Sequence, residues 1–351
     1  MFTGELKVAF FVYPSAFQNK GGGEILLENL EKYLKLAGVD VRRFDTWNDK
    51  IEDYSILHVF GAVKECLPLM RVGRSRGVKV VLESIFWSDY RRAFCEEGTF
   101  IKKAEEVIRH TLKVLCPVFP SGRKKMFDTA DVIIPNSEGE AAQISRLFGI
   151  PRDKMRVVAN GVDKVFFAAE PEIFIKSYGI SDFILSVGRI EPRKNQLNLI
   201  RAVKGSGREL VLIGEAVSGY EWYMEACRKE AGENVRFLGR LDHGSGMLRS
   251  AYAACGVFVL PAWFETPGLA ALEAGLAGAK LAVTDGGSTR EYFKDMALYL
   301  RPDSPDDIRD KIETAFRSPK TDLLRQYIMS DLTWEKIALK TAHVYKTLAV
   351  A

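Results

Sequence analysis

The chain is poor in the groups that build metal centres and disulfide frameworks: its 351 residues include five cysteines and four histidines. Cys66, Cys95, Cys116, Cys227 and Cys255 are odd in number, scattered and never spaced Cys-x-x-Cys, so buried reduced thiols are expected rather than bridges. His58, His110, His243 and His343 are equally dispersed, which leaves no zinc constellation and no structural metal to expect. Long apolar runs are missing too. Those at 8–12 and 78–82 are far too short to cross a bilayer, and the first residues do not read as a signal peptide, so a cytoplasmic protein is expected. Charge of one sign is not in excess: the net charge is +4, Lys and Arg are interspersed with acids, and no recognition motif accompanies them, which argues against a nucleic-acid partner. There is no low-complexity tract and no short-period repeat.

What remains is an ordinary globular composition, 47% hydrophobic and 27% charged, in a chain longer than one hydrophobic core usually supports. Short apolar runs alternate with helical patterns, as in parallel sheets wrapped by helices. The first half places strands at 8–12, 41–44, 56–60, 78–82, 132–134 and 156–158. The second restarts the pattern at 183–187, 210–213, 235–238, 257–260, 281–283 and 298–300. Asn160-Gly161-Val162-Asp163 is a turn signal between them, and the boundary is expected near residue 168, with domains at 1–167 and 168–330. The tail, 331–351, is helical, and its stripe of Trp334, Ile337, Ala338, Ala342, Val344, Tyr345 and Leu348 must be buried on something.

The most informative segment runs from Pro261 to Gly278 and sets two carboxylates, Glu265 and Glu273, eight residues apart across a loop-to-helix junction. Pro261 ends a strand and Pro267 suits the first turn of the next helix, which puts Glu265 in the loop and Glu273 about two turns in. The amides of Gly268 and Leu269 then point outward unpaired, an arrangement that attracts phosphate. Read alone, Glu273 fits an ordinary helix-surface carboxylate equally well, and Glu265 a favourable charge near a helix start. Each half also opens with glycines or cations after a strand. Lys20-Gly21-Gly22-Gly23-Glu24 precedes an amphipathic helix, but it has neither the Gly-x-Gly-x-x-Gly spacing of a dinucleotide site nor the Gly-Lys-Ser/Thr ending of a P-loop. In the second half, Gly188-Arg189-Ile190-Glu191-Pro192-Arg193-Lys194-Asn195 sets Arg189 and Lys194 at the carboxyl end of a strand, where open parallel sheets bind ligands. Two cations there suit a diphosphate or, as the plainer reading, a solvated polar loop. Both are expected to face solvent, so alanine at either should leave the fold intact.

These three segments together resemble the retaining glycosyltransferases of family four, which have the GT-B fold of two Rossmann-like domains. Similar too are 158–163, 284–291 and the Trp334 helix, so the resemblance covers nearly the whole chain. It implies a nucleoside-diphosphate sugar as donor, held by the second domain, and a glycan or lipid-linked acceptor on the first, across a cleft. It also implies that the tail helix returns to the first domain. By position, Arg189 and Lys194 would bind and stabilise the departing diphosphate, Glu273 the ribose hydroxyls, and Glu265 the sugar. Gly188 and the amides of Gly268 and Leu269 would complete the phosphate site, and Gly22 and Gly23 would let the first domain's loop close on it. The chemistry implied is metal-independent, cofactor-free transfer of a hexose-type sugar. The fixed cations meet the leaving charge, and a donor phosphate oxygen takes the proton. Where members often carry a His after a first-domain strand, this chain reads Glu83-Ser84-Ile85-Phe86-Trp87, and that role is left unassigned. Thr266-Pro267-Gly268 also departs from the commoner pattern, which bears on the sugar pocket. Trp87 and Tyr90, with Phe94, Phe100, Arg91, Arg92, Lys102, Lys103 and 123–125, suit an acceptor site, a contact with anionic lipid, or simply a solvated helical face. His58 ends a strand and reads as a satisfied core or strand-end histidine, with an approach to the cleft as the alternative. A silent nucleotide-sugar-binding subunit and a nucleotide-sugar epimerase are the alternative functions.

Overall fold

The computed structural model describes residues 6–19, 21–91, 100–116 and 121–350. By its internal packing the chain forms two units: Met1–Ser88, Ile108–Gly161 and Trp334–Ala351 make the first, Asp89–Val107 and Val162–Thr333 the second. The main changeover therefore falls between Gly161 and Val162 rather than near residue 168, and the tail belongs to the first unit. Gly161 marks the place because a Cβ there would lie 2.7 Å from the Trp334 indole.

The first unit is built on five parallel strands, β1 (Lys7–Val12), β2 (Asp40–Arg43), β3 (Ile56–Phe60), β4 (Lys79–Glu83) and β5 (Val132–Ile134), in the order β2-β1-β3-β4-β5. The second has six, β6 (Ile184–Val187), β7 (Leu210–Ile213), β8 (Val235–Phe237), β9 (Val257–Leu260), β10 (Lys280–Thr284) and β11 (Leu298–Leu300), in the order β11-β10-β9-β6-β7-β8. Strands such as β3 and β9 are buried at every residue, which is why they read as unbroken apolar runs. In both sheets the winding reverses, between β1 and β3 and between β6 and β9, and the crevice at such a point is where ligands bind. The expected strand at 156–158 does not form. Arg156 and Val158 donate to the carbonyls of Ile133 and Pro135, but Pro135 has no N–H to return, and pairing stops at a single bridge between Ile133 and Met155.

The tail helix, Trp334–Val350, buries the whole predicted stripe and packs on the helix Gly22–Leu36 within the first unit. Cys66, Cys227 and Cys255 are buried free thiols, whereas Cys116 is exposed, just past the helix Phe100–Leu115. Cys95, like Lys20, Arg92 and Phe94, lies outside the described residues, as do the side chains of Phe100, Lys102 and Lys103.

His58 is a core residue: fully buried on β3, its Nδ1 lies 2.5 Å from the Tyr345 hydroxyl and its Nε2 3.5 Å from Glu83. Burial pushes its pKa down to about 3 from 6.5, while burial, with the nearby Glu140 charge, raises Glu83 well above 4.5. The signs follow from proton counts. Below pH 6.5 the unfolded chain takes up the histidine proton that the folded chain refuses, which lowers stability as pH falls, while the raised Glu83 pKa acts in the opposite direction. Below 4.5 the unfolded chain gains a proton more, and stability falls with falling pH. His58→Asn should remove the histidine's share, so that stability from pH 6.5 to 4.5 rises relative to the parent, as denaturant melts at those two pH values would show.

Candidate active site

The site is assembled at the carboxyl edge of the second sheet, where β6 and β9 flank the reversal. After β6 the chain passes through Gly188 at φ +152. Gly214, at the matching end of β7, comes so close that a Cβ on it would lie 1.9 Å from the Gly188 carbonyl, so two bare backbones are needed for the loop to leave the sheet here. The turn Pro192–Lys194 then closes on Asn195, whose left-handed backbone (φ +59) is a conformation Asn tolerates. The buried Asn195 amide donates to the carbonyls of Pro261, at the end of β9, at 3.0 Å and Pro302 at 2.7 Å. Trp263 N–H donates to the Arg193 carbonyl at 3.0 Å. The turn carrying Lys194 is thereby fastened to the loop carrying Glu265.

Glu265 is the hub of that loop. It is only 6% exposed, and one carboxylate oxygen accepts from Lys194 Nζ and, at 3.2 Å, from Arg193 Nη1. Arg193 also pairs with the buried Glu191, which Arg189 Nη2 approaches at 3.4 Å. Burial pushes the Glu265 pKa up, but the charges of Lys194 and Arg193 outweigh it and hold the carboxyl below its ordinary value. For Lys194, burial prevails over the Glu265 charge and lowers its pKa. The expectation that both cations face solvent is therefore corrected: Arg189 is 43% exposed at its side chain, but Lys194 is drawn in by the Glu265 carboxylate. The Glu265 backbone is fixed as well, bridging to Gly287, with Ser288 N–H donating to its carbonyl at 2.9 Å.

The following helix runs Leu269–Leu276 with Gly268 as its cap residue at φ +88. Pro267 thus stands before the helix rather than in its first turn, because the positive-φ cap that only glycine adopts freely comes after it. Glu273 is consequently the fifth helical residue, one turn in rather than two. Among the described residues, no side chain caps this end and no hydrogen bond engages the N–H groups of Gly268 and Leu269. Glu273 is buried, and both its oxygens are engaged: His243 Nε2 lies 2.5 Å from one, and the Tyr252 hydroxyl donates to the other at 2.8 Å. Phe166 packs edge-on against both rings. Neither His243 nor Tyr252 stands out in the sequence, since one is a lone loop histidine and the other sits in an ordinary helix. Two more buried polar atoms at this edge, Gln196 Oε1 and Ser288 Oγ, make no hydrogen bond with the described residues, which suits a polar ligand.

In the first unit, Gly22 and Gly23 are not a loop. They open the helix Gly22–Leu36, since the Glu24 carboxylate reaches back to accept from Gly21 N–H at 2.7 Å and fixes the start there. Trp87 belongs to the first unit and Tyr90 to the second. The Trp87 indole nitrogen is buried without a hydrogen-bond partner among the described residues, and Tyr90 is exposed. No cluster of three or more His, Cys, Asp or Glu among the described residues could hold a metal ion.

Residues 173–328 match the family described as glycosyl transferases group 1. The chain is 28% identical over 235 residues to an uncharacterized glycosyltransferase of Methanocaldococcus jannaschii, covering 61% of this chain and 59% of that protein. It is 29% identical over 234 residues to a glycogen synthase of Mycobacterium tuberculosis, covering 62% and 54%. It thus spans little more than half the length of these relatives. Among solved structures it resembles sucrose-phosphate synthase from Thermosynechococcus elongatus, with a TM-score of 0.77, 18% identity and 98% and 99% of the two chains covered. Anabaena HepE in complex with UDP and glucose is similar at a TM-score of 0.71 and 16% identity, with 97% and 100% covered. With its two parallel-sheet α/β units, the chain has the GT-B fold.

Proposed function

We propose, from the match of residues 173–328 to the group 1 glycosyl transferases, that this protein is a retaining glycosyltransferase. It moves a hexose-type sugar from a nucleoside diphosphate to a glycan or lipid-linked acceptor, without a divalent metal. One observation carries the reading: two cations, Arg189 and Lys194, and the open helix end at Gly268 and Leu269 belong to the two loops that flank the winding reversal of the second sheet. Such a set meets a diphosphate's charge with fixed donors, and those donors gain strength as the leaving group becomes more negative. Lys194 is held for that task by Glu265, and the same carboxylate has a free lone pair with which to orient a sugar hydroxyl. Glu273, oriented by Tyr252 and His243, receives the ribose hydroxyls. A phosphate oxygen of the donor removes the acceptor's proton, so no side chain is assigned as general base.

Acceptor binding is assigned to the first unit, with Trp87 contributing an indole N–H. Ile108, Leu112 and Leu115 are exposed at helical spacing on Phe100–Leu115, an apolar face that suits a lipid-linked acceptor or peripheral contact with a membrane. No described helix is long and apolar enough to cross one. The test is thermal shift against nucleoside diphosphates, nucleoside monophosphates and nucleoside-diphosphate sugars. A rise in melting temperature with one base's diphosphate and its sugar, and little with the monophosphate, is expected. No shift with any diphosphate would refute the proposal.

A further inference from the structure

At the carboxyl end of β4 the backbone adopts a conformation that its residue resists. Ile85 has φ +42, in the left-handed region that β-branched side chains avoid. It is 40% exposed, so its side chain is only partly buried. A buried carboxylate braces the residues on both sides of it, alongside the backbone bonds of Ser84 to Ile134 and Ala62. Glu140, in the first turn of the helix Glu138–Phe148, is 0% exposed, and its Oε1 accepts from Ser84 Oγ at 2.5 Å and from Phe86 N–H at 2.6 Å, one residue on either side of Ile85. Its Oε2 accepts from Asn136 N–H at 2.8 Å, which fixes the carboxylate itself. The Ile85 side chain extends over the helix start at Gly23, where a Cβ would stand 3.7 Å from its Cδ1. Among the described residues, no hydrogen bond takes up the Ile85 N–H or carbonyl. A strained residue whose strain a dedicated buried group enforces, at the edge of a sheet where ligands bind, is a sign of function rather than of packing.

We propose that Glu140 is a positioning residue for the transfer reaction, holding Ile85 in its left-handed conformation and so shaping this corner of the first unit, to which acceptor binding is assigned. This rests on the transferase reading given above. Glu140 itself touches no substrate; it acts through the Ser84–Phe86 bend, and its contribution depends on residue 85 being one that would otherwise relax. Glycine at 85 adopts the same φ without enforcement.

The experiment is a double-mutant cycle of Glu140→Gln and Ile85→Gly in the full chain, with two readouts. The first is nucleoside-diphosphate release from the sugar nucleotide that gives the largest thermal shift. Glu140→Gln is expected to slow release at least about tenfold in the parent and less than about threefold in the Ile85→Gly background, with the nucleotide-induced shift retained in all four proteins. A merely structural Glu140 would cost the same in both backgrounds, and that result would overturn the proposal. The second readout is the melting temperature without ligand, which needs no activity. Relief of an enforced strain makes Ile85→Gly raise it in the parent and lower it in Glu140→Gln, where the bend has already relaxed and glycine brings only its entropy cost. Equal changes in both backgrounds would overturn the proposal even in a chain that transfers no sugar. Absence of any nucleotide shift in the parent would instead count against the transferase reading.

Discussion

Lys194→Ala is expected to lower turnover about a thousandfold and, unlike an exposed-cation change, to cost about 3 kcal/mol of stability. The two losses have separate causes. Turnover falls because the ammonium is one of the fixed charges assigned to the departing diphosphate, and removing a single preorganised donor of that kind typically costs about 10² to 10³. Stability falls because Glu265 is only 6% exposed and loses its nearest cation. A buried carboxylate stripped of its partner costs about 3 to 5 kcal/mol, and the low end applies because Arg193 still faces it at 3.2 Å. Acid melts add a check of sign. The Glu265 carboxyl is held below its ordinary value of 4.5, so its contribution is fully present above that pH and fades as pH falls through the folded value. Lys194→Ala should shrink this contribution, so variant and parent stabilities converge in acid. A variant that keeps its turnover, or whose stability gap is unchanged from neutral to acid pH, would show that the pair does not act as described.

Gly287→Ala should be the most damaging of the conservative changes. Its φ is +93, and a Cβ would sit 1.9 Å from the Glu265 carbonyl and 2.7 Å from the Glu265 amide nitrogen. Backbone atoms, unlike the tip of a side chain, cannot step aside singly, so the bridge between Glu265 and Gly287 must open. Strain and overpacking each contribute about 1 to 3 kcal/mol, and a loss above about 3 kcal/mol is expected. Displacing Glu265 by an ångström would lower turnover about a hundredfold further than the stability loss explains. Denaturant melts and turnover measured on the folded fraction separate the two. An alanine variant of parental stability would contradict the backbone contact.

The strands were legible because parallel strands buried on both faces leave unbroken apolar runs, and 56–60, 132–134, 210–213, 257–260 and 298–300 match the observed bounds. Position 156–158 misled for the same reason: an apolar segment that pairs through one bridge looks like a strand in composition. Glu265 and Lys194 were visible as residues but their pairing was not, since 71 positions separate them and nothing in either segment reports that the Asn195 amide ties the two loops together. His243 and Tyr252 stayed hidden because their significance lies entirely in facing Glu273. The observed helix starts at Gly22 and Leu269 differ from the expected ones by three and two residues, because a reaching carboxylate decides one end and a positive-φ glycine the other. The segment around Ile85 stands out in the sequence only as a departure from the family pattern, for a backbone angle leaves no trace in residue type when a distant carboxylate helps to impose it.

If the edge of the second sheet binds a diphosphate through fixed positive charge, Arg189 is the cleanest probe, because its side chain is 43% exposed and alanine there is expected to leave the fold intact. Titration calorimetry of the preferred nucleoside diphosphate and of the bare nucleoside, into the parent and Arg189→Ala, measures it directly. Diphosphate affinity is expected to be at least about tenfold weaker in the variant, a charge-assisted bond being worth about 1.5 to 3 kcal/mol, with nucleoside binding unchanged. Equal diphosphate affinity in the two proteins would contradict it.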